Sequence, residues 1–97
     1  MNILERFKHI TTFIFDVDGV MTDGSIGIVT GNEYIRTMNT KDGYALQLAV
    51  KRGYRVAVIT GGYVPAVVER MASLGVRDVY HKVHNKIEYF NEYCKQY

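Results

Sequence analysis

Ninety-seven residues, 47% of them hydrophobic and 23% charged, suit one packed domain and are too few for two, because each half would fall below the roughly 50 residues at which a single core becomes marginal. Twelve basic against ten acidic residues leave a net charge of +2, with no Lys/Arg run longer than Lys51-Arg52, so neither nucleic acid nor an anionic membrane surface finds an electrostatic footprint here. A single cysteine, Cys94, forbids an internal disulfide, and Glu5, Arg6, Lys8 and His9 interrupt the apolar N-terminus, which reads as neither signal peptide nor membrane span; the expectation is a cytoplasmic protein.

Thr12 to Val17 is a short run of β-branched and aromatic residues ending in Asp and Gly, the pattern of a strand buried on both faces with chemistry at its end. Ser25–Thr30 and Glu33–Met38 flank Gly31-Asn32, whose residues tolerate positive φ, which predicts a β-hairpin with a two-residue turn. From Asp42 as N-cap, Ala45, Leu46, Leu48, Ala49 and Val50 recur at helical spacing until Gly53. Tyr54–Thr60 reads as a second buried strand. Pro65 then opens a helix carrying Val67, Val68, Met71 and Leu74 inward, with Gly75 as its stop. Val76–His81 contains a third strand. Asn85 and Glu88 have the spacing of a capping box opening a last helix through Ile87, Phe90 and Tyr93. Strands and helices in strict alternation make the fold class α/β with a parallel sheet, one domain over residues 1–97.

Asp16 and Asp18 stand two apart at the mouth of the first strand, so strand periodicity aims both toward one side of the sheet's carboxyl edge. Like charges that close repel unless a hard cation shares them or one keeps its proton, and either arrangement serves catalysis. A strand followed by an ordinary Asp/Gly turn is the plainer alternative. An EF-hand is disfavoured, because Val20 and Met21 occupy positions that motif reserves for Asp/Asn and Gly. His81 and His84 lack a third ligand nearby, so structural or surface roles are expected of them, and Cys94 is expected to be a core thiol.

The string Phe15-Asp16-Val17-Asp18-Gly19-Val20-Met21-Thr22-Asp23-Gly24 resembles the first motif of the haloacid-dehalogenase (HAD) phosphohydrolases, and in this extended form it is similar to the 3-deoxy-D-manno-octulosonate 8-phosphate phosphatases and their sugar-acid relatives. The resemblance continues in order through Gly31-Asn32-Glu33, Asn39-Thr40-Lys41-Asp42-Gly43, Ile59-Thr60-Gly61 and Asn85-Lys86. It implies a HAD-like parallel sheet with helices on both faces, a hairpin flap after the first strand and no cap domain. It also implies that Asp16 is the nucleophile forming an aspartyl-phosphate and that Asp18 is the acid, then the base. Thr60 with neighbouring N–H groups (Gly61) and Lys86 would bind the phosphoryl group, and Mg²⁺ would be held by Asp16 and the backbone carbonyl of Asp18. Lys82 is the rival of Lys86. Asn39, Thr40, Lys41, Asp42, Gly43 and Arg70 match substrate-contacting positions, with Arg70 on the sugar carboxylate. Gln47 and Gly62 depart from arginines of the octulosonate enzymes, which keeps a nonulosonate 9-phosphate, or another small phosphorylated sugar, open as substrate.

With no room for a cap between Asp23 and Thr60, the resemblance implies a homotetramer closed by the hairpin, and Ile26, Ile28, Tyr34 and Ile35 suit such a contact. The family's fourth motif, an acidic Gly-Asp-Asp cluster completing the metal site, is not reached before Tyr97; a longer phosphatase, and a weakly active or inactive 97-residue chain, are therefore expected. Two other classes stay open: a catalytically inactive HAD-fold binding or assembly module, and a phosphate-accepting receiver, which the Asp16/Asp18 pair followed by Gly19 fits poorly.

Overall fold

The computed structural model describes residues 2–31, 33–62 and 65–97. In chain order the elements are α1 (Ile3–Phe7), β1 (Thr12–Phe15), β2 (Gly27–Val29), β3 (Glu33–Ile35), α2 (Thr40–Lys51), β4 (Arg55–Ile59), α3 (Pro65–Ser73), β5 (Asp78–Tyr80) and α4 (Lys86–Gln96). β1, β4 and β5 form a parallel sheet in the order β1-β4-β5, while β2 and β3 pair only with each other, antiparallel. The α/β alternation and the parallel sheet are as the sequence predicts. α1 is an addition that the broken apolar pattern at the N-terminus did not announce; Asn2 caps it by accepting the Glu5 N–H at 2.9 Å.

The middle strand is the core. Val56, Ala57, Val58 and Ile59 are each 5% exposed or less, and strand alternation divides them between two faces. Val56 and Val58 join Leu46 of α2, Val67 and Met71 of α3, Leu74, Val76, Val17 and Met21 in one apolar cluster. Ala57 and Ile59 turn the other way, and α4 is the helix beside β4 that lies outside that cluster. β1 differs from expectation: its residues are half-buried, with Phe13 exposed, because among the described residues β1 pairs on one side only.

Other departures have local causes. α2 starts at Thr40 rather than after Asp42, because the Asn39 side chain accepts the Lys41 N–H at 2.7 Å and so satisfies a first-turn donor. Asp42 then sits in the first turn, where an acid complements the helix dipole. Leu46 is buried and Ala49 and Val50 half-buried, whereas Ala45 and Leu48 are exposed. In α4 the expected Asn85 cap forms, its side chain accepting the Glu88 N–H at 3.2 Å, but Ile87 and Phe90 are exposed and only Tyr93 is buried. Cys94 is exposed, not a core thiol. The hairpin ladder closes at Val29–Glu33, so its connection runs over residues 30–32 rather than two residues; Asn32 of the expected turn lies outside the described residues. Ser25 stays out of β2 because its N–H donates to the Asp23 carboxylate at 2.9 Å, an Asx-turn.

Tyr93 anchors α4 to the sheet. Its hydroxyl donates to Asp78 Oδ2 at 2.9 Å, Arg55 lies 3.8 Å from the same oxygen, and the Arg55 guanidinium stacks 3.6 Å from the centre of the Tyr97 ring. Burial, then the bond and charge of Asp78, push the Tyr93 phenol up to about 12. A phenol whose pKa is raised by folding contributes stability that is complete below its unfolded value of about 10 and disappears as pH rises toward the folded value. Urea unfolding from pH 8 to pH 12 is therefore expected to show stability declining above about pH 10. Tyr93→Phe should flatten that decline and cost about 1 to 2 kcal/mol at neutral pH.

Candidate active site

The segment after β1 folds back on itself. The Val17 carbonyl accepts the N–H groups of Val20, Met21 and Thr22 at 3.2, 2.9 and 3.1 Å. The buried Thr22 hydroxyl accepts the N–H groups of Gly19 and Gly24 at 3.3 and 3.1 Å. Gly19 and Gly24 both have positive φ, 81° and 90°, and they come so close that a Cβ on Gly24 would lie 4.0 Å from the Gly19 Cα. This loop presents both carboxylates at the carboxyl end of β1.

Asp16 is gripped on both oxygens. Oδ1 accepts the Val17 N–H at 2.7 Å and Oδ2 accepts Lys86 Nζ at 2.7 Å. Partial burial alone would raise its pKa, but the Lys86 hydrogen bond, the Val17 N–H, the charge of Lys86 and the Thr60 hydroxyl together hold the carboxyl below the ordinary aspartate value. Thr60 is buried at the end of β4. Its N–H donates to the Tyr80 carbonyl at 2.9 Å and its carbonyl accepts the Val83 N–H at 3.0 Å, which stitches the ends of β4 and β5 together. Lys86 opens α4 directly after the Asn85 cap, and of the two rival lysines it is the one bonded to Asp16. Residues 16, 60 and 86, far apart in the chain, thus converge at one end of the sheet. Gly61 lies beside them, exposed, with the space over its Cα bounded by the Val83 carbonyl, 3.5 Å from where a Cβ would stand.

Asp18 has a separate partner. Arg36, directly after β3, places Nε 2.7 Å from Oδ1 and Nη2 3.2 Å from Oδ2, a bidentate pair in which Arg36 is nearly enclosed. Sequence reasoning missed Arg36. A lone arginine in a strand-like stretch reads as a solvated side chain, and only the fold of the hairpin brings it to a carboxylate 18 positions earlier.

The substrate-contact candidates divide. Asn39, Thr40, Lys41 and Asp42 line an open cleft of about 680 Å³ with Val20, Met21, Thr22, Asp23, Thr37 and Met38, next to the Asp16–Gly24 loop. The Asn39 carboxamide oxygen is already used as the α2 cap. Gly43 and Arg70 meet each other instead and are not among the residues lining that cleft: a Cβ on the buried Gly43 would lie 2.9 Å from Arg70 Nη2, and Arg70 Nη1 lies 3.4 Å from the Ser73 hydroxyl. His81 and His84 are exposed, and among the described residues no group of three or more His, Cys, Asp or Glu side chains is placed to hold a metal ion.

A parallel sheet that gathers Asp16, Thr60 and Lys86 at its carboxyl end, with a hairpin after β1, has the arrangement expected of a HAD-type domain, and comparison with known proteins agrees on the fold. No family model matches the chain. It is 33% identical over 91 residues to the 3-deoxy-D-manno-octulosonate 8-phosphate phosphatase KdsC of Escherichia coli, an alignment covering 94% of this chain and 48% of that protein. Among solved structures, a Legionella pneumophila protein described as a HAD-superfamily (subfamily III A) hydrolase superposes with a TM-score of 0.90 at 32% identity, over 97% of this chain and 52% of that one. The Moraxella catarrhalis 3-deoxy-D-manno-octulosonate 8-phosphate phosphatase, solved with magnesium ion, phosphate ion and a KDO molecule, superposes with a TM-score of 0.88 at 26% identity, over 98% and 56%. The chain has the fold of the HAD superfamily, and the relatives it resembles are the KdsC phosphatases. It spans about half the length of the curated relatives it matches.

The Gly43–Arg70 contact yields a test. In Gly43→Ala the new methyl crowds only the far end of a flexible arginine and meets Leu74 at ordinary contact distance, while the helix gains from losing a glycine, so stability should change by less than about 1 kcal/mol. Arg70 must move aside. A chemical-shift change at the Arg70 side chain without a fall in melting temperature is the expected result.

Proposed function

We propose that the protein is a divalent-metal-dependent phosphomonoesterase that releases phosphate from a phosphorylated sugar acid, with 3-deoxy-D-manno-octulosonate 8-phosphate as the leading substrate. The observation that carries this reading is the placement of Asp16: an ionised carboxylate at a strand end, bonded to Lys86 and beside the Thr60 hydroxyl, in a chain similar to the KdsC phosphatases. A nucleophile must be deprotonated, and the same contacts that lower the Asp16 pKa keep it so.

In this mechanism an Asp16 oxygen bonds to phosphorus as the phosphorus–sugar oxygen bond breaks. Asp18, with one oxygen released from the Arg36 fork to carry a proton, delivers that proton to the departing oxygen. In the second half Asp18 takes a proton from water, the water oxygen bonds to phosphorus, and the bond to Asp16 breaks, returning the carboxylate and inorganic phosphate. Lys86 and the Thr60 hydroxyl supply positive charge and a donor to the phosphoryl oxygens as their charge grows, with the Gly61 N–H as a further donor. The Asp16 carboxylate and the Asp18 carbonyl would supply hard oxygens of the kind magnesium takes, with waters completing its shell. Bound there, it would lower the repulsion between carboxylate and phosphate.

Asn39, Thr40, Lys41 and Asp42, lining the cleft beside the loop, are proposed to meet the sugar, and Arg70, which meets Gly43 outside that cleft, to reach the sugar carboxylate. Gly62 and the half-buried Gln47, in place of arginines, keep a nine-carbon sugar acid as an alternative substrate. Ile26, Ile28, Tyr34 and Ile35 are 43%, 79%, 53% and 55% exposed, which supports association of subunits through the hairpin, a homotetramer being the leading arrangement. A second reading, a binding or assembly module without turnover, is favoured by the lack of a three-membered ligand group among the described residues.

Phosphate release across a panel of eight- and nine-carbon sugar phosphates, with Mg²⁺ and with chelator, measured on the full-length protein that carries this chain, separates the two. The enzyme reading expects metal-dependent release that Asp16→Asn lowers by about a thousandfold or more. Lys86→Ala should lower it by about a hundredfold. Binding without release, unchanged in Asp16→Asn, would establish the module instead.

A further inference from the structure

The mechanism above uses Asp18 and leaves its strongest contact without a role. The Arg36 fork engages both Asp18 oxygens, at 2.7 and 3.2 Å, and fixes the plane of the carboxylate as well as its charge. The Arg36 side chain is 10% exposed, against 48% for Lys86 in the neighbouring pair, so water competes less for this contact. Arg36 also occupies room left by a missing side chain: a Cβ on Gly62 would lie 3.6 Å from Nη2, and Arg36, Gly62, Val17 and Thr60 line one narrow gap. Among the described residues the hairpin shares no strand pairing with the three-stranded sheet. Arg36 leaves β3 to reach the loop after β1, and so bridges the two sheets by a side chain.

We propose that Arg36 is a positioning residue whose fork orients the Asp18 carboxylate and ties the hairpin to the end of β1, so that hairpin placement and Asp18 geometry are set by one contact. The part concerning the reaction rests on the phosphatase reading. The tie itself rests on geometry.

Amide hydrogen exchange of hairpin residues 27–35 in the full chain tests the tie. Arg36→Ala and Asp18→Ala should each raise exchange about tenfold, the value of a charge-assisted bond. The double variant should exchange no faster than either single one, because both remove the same contact. Arg36→Lys, which keeps charge but loses the fork, should fall between. Gly62→Ala meets Nη2 at ordinary contact distance and should behave as wild type, while Gly62→Leu, which crowds the guanidinium, should reproduce part of the Arg36→Ala effect. Unchanged exchange in Arg36→Ala, or single effects that multiply in the double variant, overturns the proposal.

The kinetic arm expects Arg36→Ala to lower kcat about tenfold or more with KM within about twofold, and added guanidinium to restore part of the loss. A raised KM at unchanged kcat overturns the positioning role and makes Arg36 a substrate-binding group. If wild type releases phosphate from none of the panel, the phosphatase reading fails together with the catalytic part of this one, and the exchange result alone decides whether the tie exists.

Discussion

Two carboxylates two positions apart at the end of a strand repel each other, and in this chain each is answered by positive charge from an opposite direction. Asp16 is met by Lys86 at the start of the last helix, and Asp18 by Arg36 at the end of the hairpin. Here the two basic residues separate their fates: Asp16 is held below the normal aspartate range, and Asp18 is held in orientation by a fork. The rest of the structure supplies the means of delivering those two cations.

The means are built from ordinary parts. β4 is buried on both faces and carries Thr60 at its tip, the Asn85 cap fixes where α4 begins and hence where Lys86 stands, and the N–H groups collected by Val17 and Thr22 pin the loop that carries the acids. None of these contacts is exceptional. Their joint effect is that the carboxyl ends of β1 and β4 and the N-terminus of α4 face one point, where ligands of open α/β sheets bind. The hairpin, outside that sheet, exposes Ile26, Ile28, Tyr34 and Ile35 and also supplies Arg36.

Much of this was legible in the residues. The parallel α/β order followed from apolar runs punctuated by Gly and Pro, Pro65 and the Asn85–Glu88 box marked helix starts, and the Asp16–Gly24 string with Thr60 and Lys86 marked the candidate site. Less legible were the elements whose form depends on neighbours. β1 reads as doubly buried and is an edge strand; Ile87, Phe90 and Cys94 read as inward and face solvent; Asn39 rather than Asp42 caps α2. In each case periodicity locates a helix or strand but does not say how much of its surface another element covers.

The amino-acid sequence by itself determined the element order, the two acids at a strand end, and the membership that those motifs imply, because these depend on spacing along the chain. Which of Lys82 and Lys86 meets Asp16, where Arg70 lies, and that Arg36 holds Asp18 were decided only by tertiary structure. The physical reason is range: a cap or a turn closes within about four residues, whereas an ion pair spanning 18 or 70 positions forms only after the sheet and the helices around it have set the distance.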